Sequence, residues 1–215
     1  MASSRPGVGR LIVVEGVDGA GKTTVARRLV DRLKQRGHDV HATREPTDSF
    51  RGDAIRRALD DPDHDPVSEA LLFAADHAAH VAGLRQRLAE NQLVVSDRYS
   101  TSWRVYQSIT LADAWPDQAD VDPATWLEDL VAPFELAPDR VLVLDLPVEQ
   151  ALARLDDRAR ETEKFERGRF LETVRERYQA LTEQEGYTAV DATGSIEATV
   201  DTCLQAIDPV LEGEP

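Results

Sequence analysis

The chain has 215 residues, with 40 acidic side chains against 25 Lys and Arg, for a net charge of −15. So anionic a surface argues against a general DNA or RNA binder, which needs basic patches. No run of about 18 apolar residues is present to cross a membrane. Met1 to Gly9 lacks the apolar core of a secretory signal. One cysteine, Cys203, excludes an internal disulfide and a multi-cysteine metal site and fits a reducing cytoplasm. Only three lysines occur, Lys22, Lys34 and Lys164. An acidic, lysine-poor surface suits a high-salt cytoplasm, where screening removes the cost of crowded carboxylates.

With no repeat and no Pro/Gly-rich linker, residues 1–215 are expected to form a single domain. The β-branched run Arg10–Glu15 predicts a buried parallel strand. A glycine-rich turn follows, then a helix from Lys22 to about Arg36, stopped at Gly37. Asp39–Thr43 predicts a second strand, followed by helices over Gly52–Asp60 and Val67–Glu90. Leu93–Ser96 predicts the third strand, with helices over Ser100–Ala112 and Pro123–Leu136. Arg140–Asp145 predicts the fourth strand, and Val148–Asp157 and Gly168–Glu185 read as helices. A fifth strand over Tyr187–Asp191 and a helix over Ser195–Leu211 complete the pattern. Short apolar strands alternating with helices predict an α/β fold, a five-stranded parallel sheet flanked by helices on both faces. Ligands of such sheets sit beyond the carboxyl ends of the strands.

Gly16-Val17-Asp18-Gly19-Ala20-Gly21-Lys22-Thr23 matches G-x-x-x-x-G-K-[ST] at every fixed position, between a strand and a helix. The glycines let successive N–H groups curl around a phosphate, and the helix N-terminus faces that anion. Lys22 can reach the β- and γ-phosphates, and the Thr23 hydroxyl can hold Mg²⁺. ATP or GTP binding is the expectation, with Thr24 closing the loop.

Other polar clusters fall at strand ends: Thr43-Arg44-Glu45-Pro46, Asp97-Arg98-Tyr99 and Asp145. Asp97 ends an apolar strand, as a Walker-B carboxylate does, and could hold Mg²⁺ or its water. Arg98 beside it is placed for a second phosphate, unless it pairs with a surface carboxylate. Arg154, Arg158, Arg160, Lys164, Arg167 and Arg169 form the densest basic stretch. Two readings stand for it. It is either a mobile lid over about 154–167 that closes on a transferring phosphoryl group, or a solvated face in which Glu161, Glu163 and Glu166 pair with the cations.

These residues together resemble the thymidylate kinase family, a group with the P-loop nucleoside monophosphate kinase fold. The resemblance rests on Glu15–Thr24, Thr43–Pro46, Leu71–Asp76, Asp97–Ser102, Tyr106-Gln107, Leu144-Asp145 and Lys164–Glu166. It implies transfer of a phosphoryl group from ATP to dTMP, with Mg²⁺, in a homodimer. Taken with the acidic composition, it implies a halophilic archaeal source. Asp18 matches the acid that meets the acceptor sugar and helps place its phosphate. Phe73 matches the aromatic that stacks on thymine. Arg98 matches the arginine on the dTMP phosphate, and Tyr106 and Gln107 match residues along the deoxyribose and base. Glu45, Pro46 and Ser102 complete the expected acceptor site. Family members carry their catalytic arginine either in the P-loop or in the lid. Here Gly19 follows Asp18, so the chain resembles the lid type, with Arg158 and Arg160 as candidates.

Two positions depart from the pattern. His77 stands where most bacterial relatives have an arginine that bonds a thymine carbonyl, and it can donate one bond there, not a fork. Trp103 stands where relatives often have a small polar residue near the base. Both positions could favour another nucleoside or nucleotide kinase on the same fold. A regulatory P-loop switch is the other alternative, although the Asn-Lys-x-Asp segment of guanine-reading switches is absent from the sequence. The apolar faces of the helices over Val67–Glu90 and Ser100–Ala112 could serve either a dimer or the core.

Two outcomes are expected on these grounds. Stability should rise from low to molar KCl, because repulsion among 40 carboxylates is strongest when unscreened; a melting temperature that stays flat would remove the salt-adaptation reading. Replacing Arg158 and Arg160 together with alanine should lower kcat at least about a hundredfold with a much smaller change in the KM for dTMP, as for an arginine that acts in the transition state. Steady-state kinetics of the double variant measure this directly.

Overall fold

A computed structural model describes residues 9–115, 120–155 and 161–213. Among them, five parallel strands form one sheet in the order β2-β3-β1-β4-β5. β1 (Leu11–Gly16) lies at its centre and is buried along its whole length. β3 (Leu93–Asp97) and β4 (Arg140–Asp145) flank it, with Val14 opposite Asp97 and Gly16 opposite Leu144. β2 (Val40–Arg44) and β5 (Tyr187–Asp191) are the edges and alternate between buried and open positions. That contrast is what a continuous Leu/Ile/Val run in the centre and mixed sequences at the edges dictate. Because the strands are parallel, their carboxyl ends gather Gly16, Arg44, Asp97, Asp145 and Asp191 on one side.

The helices form two groups flanking the sheet. α1 (Lys22–Gln35) and α8 (Ile196–Glu212) pack on one another and on the strands. α3 (Pro66–Ala89), α4 (Ser100–Ala114) and α7 (Glu161–Leu181) form the second group, joined by α5 (Pro123–Val131). α2 (Phe50–Leu59) lies on α3, and α6 (Val148–Arg154) lies on α7. Helix starts follow local chemistry. Ser49, Asp65, Asp122 and Ser195 each accept a bond from an amide of the first turn, and Pro66 and Pro123 sit just inside their helices, where a missing N–H costs nothing.

Several boundaries differ from the sequence expectation. α5 stops at Val131, short of Leu136, because Pro133 has no N–H to continue the ladder. α7 starts at Glu161, ahead of Gly168, so that glycine is a helix-interior residue; a Cβ there would meet Leu152 at an ordinary 3.5 Å. α7 also ends at Leu181 rather than Glu185. α2 starts two residues earlier than expected, at Phe50, on the Ser49 cap, and α4 runs on to Ala114. The end expected for the helix at Asp157 lies outside the described residues.

The main apolar core wraps the sheet, and a second cluster forms between α3, α4 and α5 from Ala70, Ala74, Trp103, Leu111, Leu127 and Val131. Much of the α3 and α4 apolar surface weighed as a dimer face is thus buried within the chain, while Leu71 stays 46% exposed. No described helix is long and apolar enough to cross a membrane.

Candidate active site

The loop between β1 and α1 carries the phosphate motif. Gly19 and Gly21 take left-handed φ of 85° and 94°, open to glycine at little cost. Gly19 is further constrained by α6: a Cβ at this position would lie 2.4 Å from the Ala151 carbonyl oxygen. The Lys22 side chain is buried and folds back on the loop, donating to the carbonyls of Gly16 at 3.0 Å and Val17 at 2.7 Å. Burial and the nearby Arg98 charge push its pKa down to about 7. At the start of the same helix, Thr23 donates its hydroxyl to Asp97 Oδ2 at 2.6 Å, while Asp97 Oδ1 is buried without a partner. Arg154, at the end of α6, reaches the carbonyls of Gly19 and Ala20 at 3.5 Å and of Ala192 at 3.3 Å.

Across the P-loop lies a cavity of about 250 Å³. Asp18, Arg98 and Ser102 line its polar end, and Phe73, Trp103, Tyr106 and Gln107 line its aromatic end, with Glu45, Pro46, Leu59 and Tyr99 around them. Arg98 is the hinge between cavity and loop. It takes φ of 68°, a left-handed conformation that is uncommon outside glycine and held here by its surroundings. Its N–H bonds the Val14 carbonyl at 3.0 Å. Its guanidinium donates to Asp18 Oδ1 and, at 2.6 Å, to the Ser102 hydroxyl. Burial works to raise the Asp18 pKa, but the Arg98 and Lys22 charges outweigh it and hold the carboxyl below the usual range. The Asp18 N–H in turn donates to the Tyr106 hydroxyl at 3.1 Å.

The arrangement is a loop carrying the phosphate motif that faces a cavity with a polar and an aromatic end, with one arginine at the junction. The family model for thymidylate kinase matches residues 14–203 of this chain. The chain belongs to the thymidylate kinase family. Among similar proteins, the "Probable thymidylate kinase" of Natronomonas pharaonis is 38% identical over 94% of the chain and 98% of its own length. That of Halorubrum lacusprofundi is likewise 38% identical over 94% and 98%. That of Methanoculleus marisnigri is 42% identical over 78% of each.

The residues read from the thymidylate kinase motifs fall into three groups. Asp18, Glu45, Pro46, Phe73, Arg98, Ser102, Trp103, Tyr106 and Gln107 share the one cavity. His77 does not line it. That side chain is fully buried behind the wall, with Nδ1 2.8 Å from Glu45 Oε1 and Nε2 3.3 Å from Glu135 Oε2. Its ring edge meets Tyr99 at 4.7 Å between centroids. Burial would lower its pKa, but the Glu135 and Glu45 carboxylates beside it win and raise it to about 9. His77 thus contacts a pocket residue rather than the pocket. Arg158 and Arg160 lie outside the described residues, within the 156–160 part of the expected lid.

Sequence reasoning missed the residues that hold the wall. Asp76 accepts from the Thr47 N–H at 2.7 Å and from the Thr47 and Ser49 hydroxyls at 2.6 and 3.0 Å, tying the segment after Pro46 to α3. His80 bonds Glu45 at 2.7 Å and Thr43 at 2.7 Å. Most central is Glu15. Its Oε1 accepts the N–H groups of Tyr99 at 2.9 Å and Ser102 at 3.1 Å, and its Oε2 accepts the Tyr178 hydroxyl at 2.9 Å. Tyr99 offers no side-chain cap to α4, so a carboxylate from β1 serves instead. Its one signal was an acid inside an apolar strand.

Burial raises the Glu15 pKa from 4.5 to about 7 against the pull of Arg98, Tyr178 and Lys22. The folded protein therefore keeps a proton that the unfolded chain gives up above about 4.5, and stability from this group is full below that pH and lost as pH rises through about 7. Glu15→Gln should abolish this dependence, so its melting temperature gains on the parent's between pH 5 and 8. Glu15→Ala leaves three buried donors without an acceptor and should cost at least about 3 kcal/mol in denaturant unfolding.

Proposed function

We propose that this chain catalyses transfer of the γ-phosphoryl group of ATP to dTMP, giving ADP and dTDP, a step in the supply of dTTP. The observation that carries this reading is the contact of Arg98 with Asp18, which joins a phosphate-binding loop to a pocket with an aromatic end. That pocket is matched to a pyrimidine nucleotide. The phosphate would lie toward Arg98, and the base toward Phe73 and Trp103, whose rings stack with centroids 6.2 Å apart. The Tyr106 hydroxyl, held against the Asp18 N–H, would lie along the sugar, in keeping with a preference for deoxyribose.

The acceptor is a phosphate oxygen, already ionised at neutral pH, so the chain has little proton transfer to perform. Its task is alignment and charge neutralisation. Lys22 would exchange its loop carbonyls for phosphate oxygens, whose charge restores its protonation. Arg98 would hold the acceptor phosphate. Thr23 and Asp97 suit Mg²⁺: they already lie in contact, and the second Asp97 oxygen is buried without a partner. Bound there, the ion would neutralise charge on the transferring phosphates. Arg158 and Arg160 remain the candidates for the catalytic cation. A homodimer within the cytoplasm accompanies this reading, and sedimentation of the purified chain would test the assembly.

A coupled ADP-release assay with a panel of nucleoside monophosphates tests the function. dTMP should be the preferred acceptor; preference for another monophosphate would favour a different nucleotide kinase, and no acceptor-dependent release would favour a regulatory protein. Lys22→Ala should stay folded yet turn over at under about a tenth of the parental rate, since such phosphate-clamping residues contribute several kcal/mol to the barrier.

A further inference from the structure

Tyr178 on α7 is 1% exposed, and its hydroxyl meets two partners from other elements. Glu15 Oε2 lies at 2.9 Å and Ser102 Oγ at 3.3 Å. Ser102, buried at the start of α4, also accepts from Arg98 Nη1 at 2.6 Å. The four groups form a line from the central strand to the arginine that lines the acceptor cavity. A buried phenol needs partners for its hydroxyl, and here both partners belong to the frame of the site.

Chemistry assigns the hydrogens of this line. A guanidinium only donates, so Ser102 Oγ accepts from Arg98. A carboxylate only accepts, so the Tyr178 hydrogen goes to Glu15 when that group is ionised. Burial raises the Tyr178 pKa well above its ordinary value, so the phenol always has that hydrogen to give. The Ser102 hydrogen is left to point at the Tyr178 oxygen. Each hydroxyl then accepts one bond and donates one, an order in which neighbouring bonds strengthen each other. The line survives protonation of Glu15. Two N–H groups face Oε1, so the proton sits on Oε2 and donates to Tyr178, whose own hydrogen turns to Ser102. Tyr178 bonds the Ser102 hydroxyl in both states.

We propose that Tyr178 is a positioning residue for the acceptor phosphate: acting through Ser102, it fixes the guanidinium of Arg98. This rests on the dTMP reading given above, in which Arg98 holds that phosphate. Without Tyr178 the Ser102 hydroxyl is free to turn among its staggered positions and to leave Arg98. Arg98 then keeps Asp18 on Nη2 but loses its fixed contact on Nη1, so the fork can swing about Asp18. The place of Tyr178 itself does not depend on its hydroxyl. α7 is anchored separately, by Arg175 on Asp145 at 2.7 and 3.1 Å and by Arg177 on Ser108 at 2.6 Å. Phe170, on the same face of α7 as Tyr178, packs its ring 5.8 Å from that of Tyr106. Loss of the hydroxyl alone therefore leaves the helix in place and removes the link.

The test measures the KM for dTMP and the KM for ATP in the parent, Tyr178→Phe, Ser102→Ala and the double variant. Tyr178→Phe keeps the ring and removes one hydroxyl. Its KM for dTMP should rise at least about threefold, the net worth of one hydrogen bond, with the KM for ATP at the parental value. Ser102→Ala should raise the KM for dTMP by as much or more. The two effects should not add: the double variant should match Ser102→Ala within about 1.5-fold, because Tyr178 has nothing left to act through. A tyrosine that serves packing alone would give additive losses or move both KM values together. Should Tyr178→Phe fail to fold, Ser102→Ala decides: a selective rise in the KM for dTMP supports the link, and a parental value overturns it. In a parent that phosphorylates dTMP, additive losses, a joint shift of both KM values or an unchanged KM for dTMP overturns this inference alone. A parent inactive on dTMP overturns the phosphoryl-transfer reading and this inference with it.

Discussion

The site hangs on one buried carboxylate. Glu15 lies next to the end of the central apolar strand, where a buried carboxyl group is expensive unless surrounded by donors. Three donors surround it, drawn from the start of α4 and from Tyr178 on α7. This single group therefore sets the approach of both helices to β1. Arg98 sits between β3 and the α4 start in a backbone conformation that few side chains accept. That conformation persists because the residues on either side are pinned, by the Val14 and Glu15 bonds on the strand side and by Ser102 beyond.

From that frame follows the electrostatic state of the pocket. The chain as a whole repels anions, with a net charge of −15. Locally the balance differs, because Lys22 and Arg98 are buried next to Asp18 and Glu15. Their positive charge is occupied by internal partners: loop carbonyls for Lys22, and Asp18 with the Ser102 hydroxyl for Arg98. An incoming phosphate competes for groups already paired, which favours the anion whose geometry fits over one that is merely attracted. Burial strengthens that selection, since charges in low dielectric are screened little by salt.

What could be read in advance depended on whether the determinants are local. The phosphate loop is a contiguous motif, and β1 is a contiguous apolar run, so both were legible. Helix starts at Asp65, Asp122 and Ser195 were nearly so, because a cap lies next to the helix that it caps. The start of α4 was placed correctly, yet the reason it forms there could not be seen, since its cap comes from a residue 84 positions away. Gly168 was read as the start of a helix, whereas the helix begins at Glu161 and runs through that glycine. Family resemblance named nine residues that the fold brings to line one cavity. His77 was the exception, because position in an alignment does not say which way a side chain turns. Two acids from distant segments, Glu45 and Glu135, draw it inward.

The close approach of α6 to the P-loop has a further consequence. With the Ala151 carbonyl 2.4 Å from where a Cβ at residue 19 would stand, the loop is roofed by a neighbouring helix turn. Some relatives place an arginine at this position. In this chain such a change could not come about by a single substitution, because the new side chain would meet main chain rather than open space. α6 would first have to shift outward, and with it Arg154, which is anchored to the same loop. Glycine at residue 19 is thus held in place by a neighbouring backbone, and its replacement would require a helix to be remodelled first.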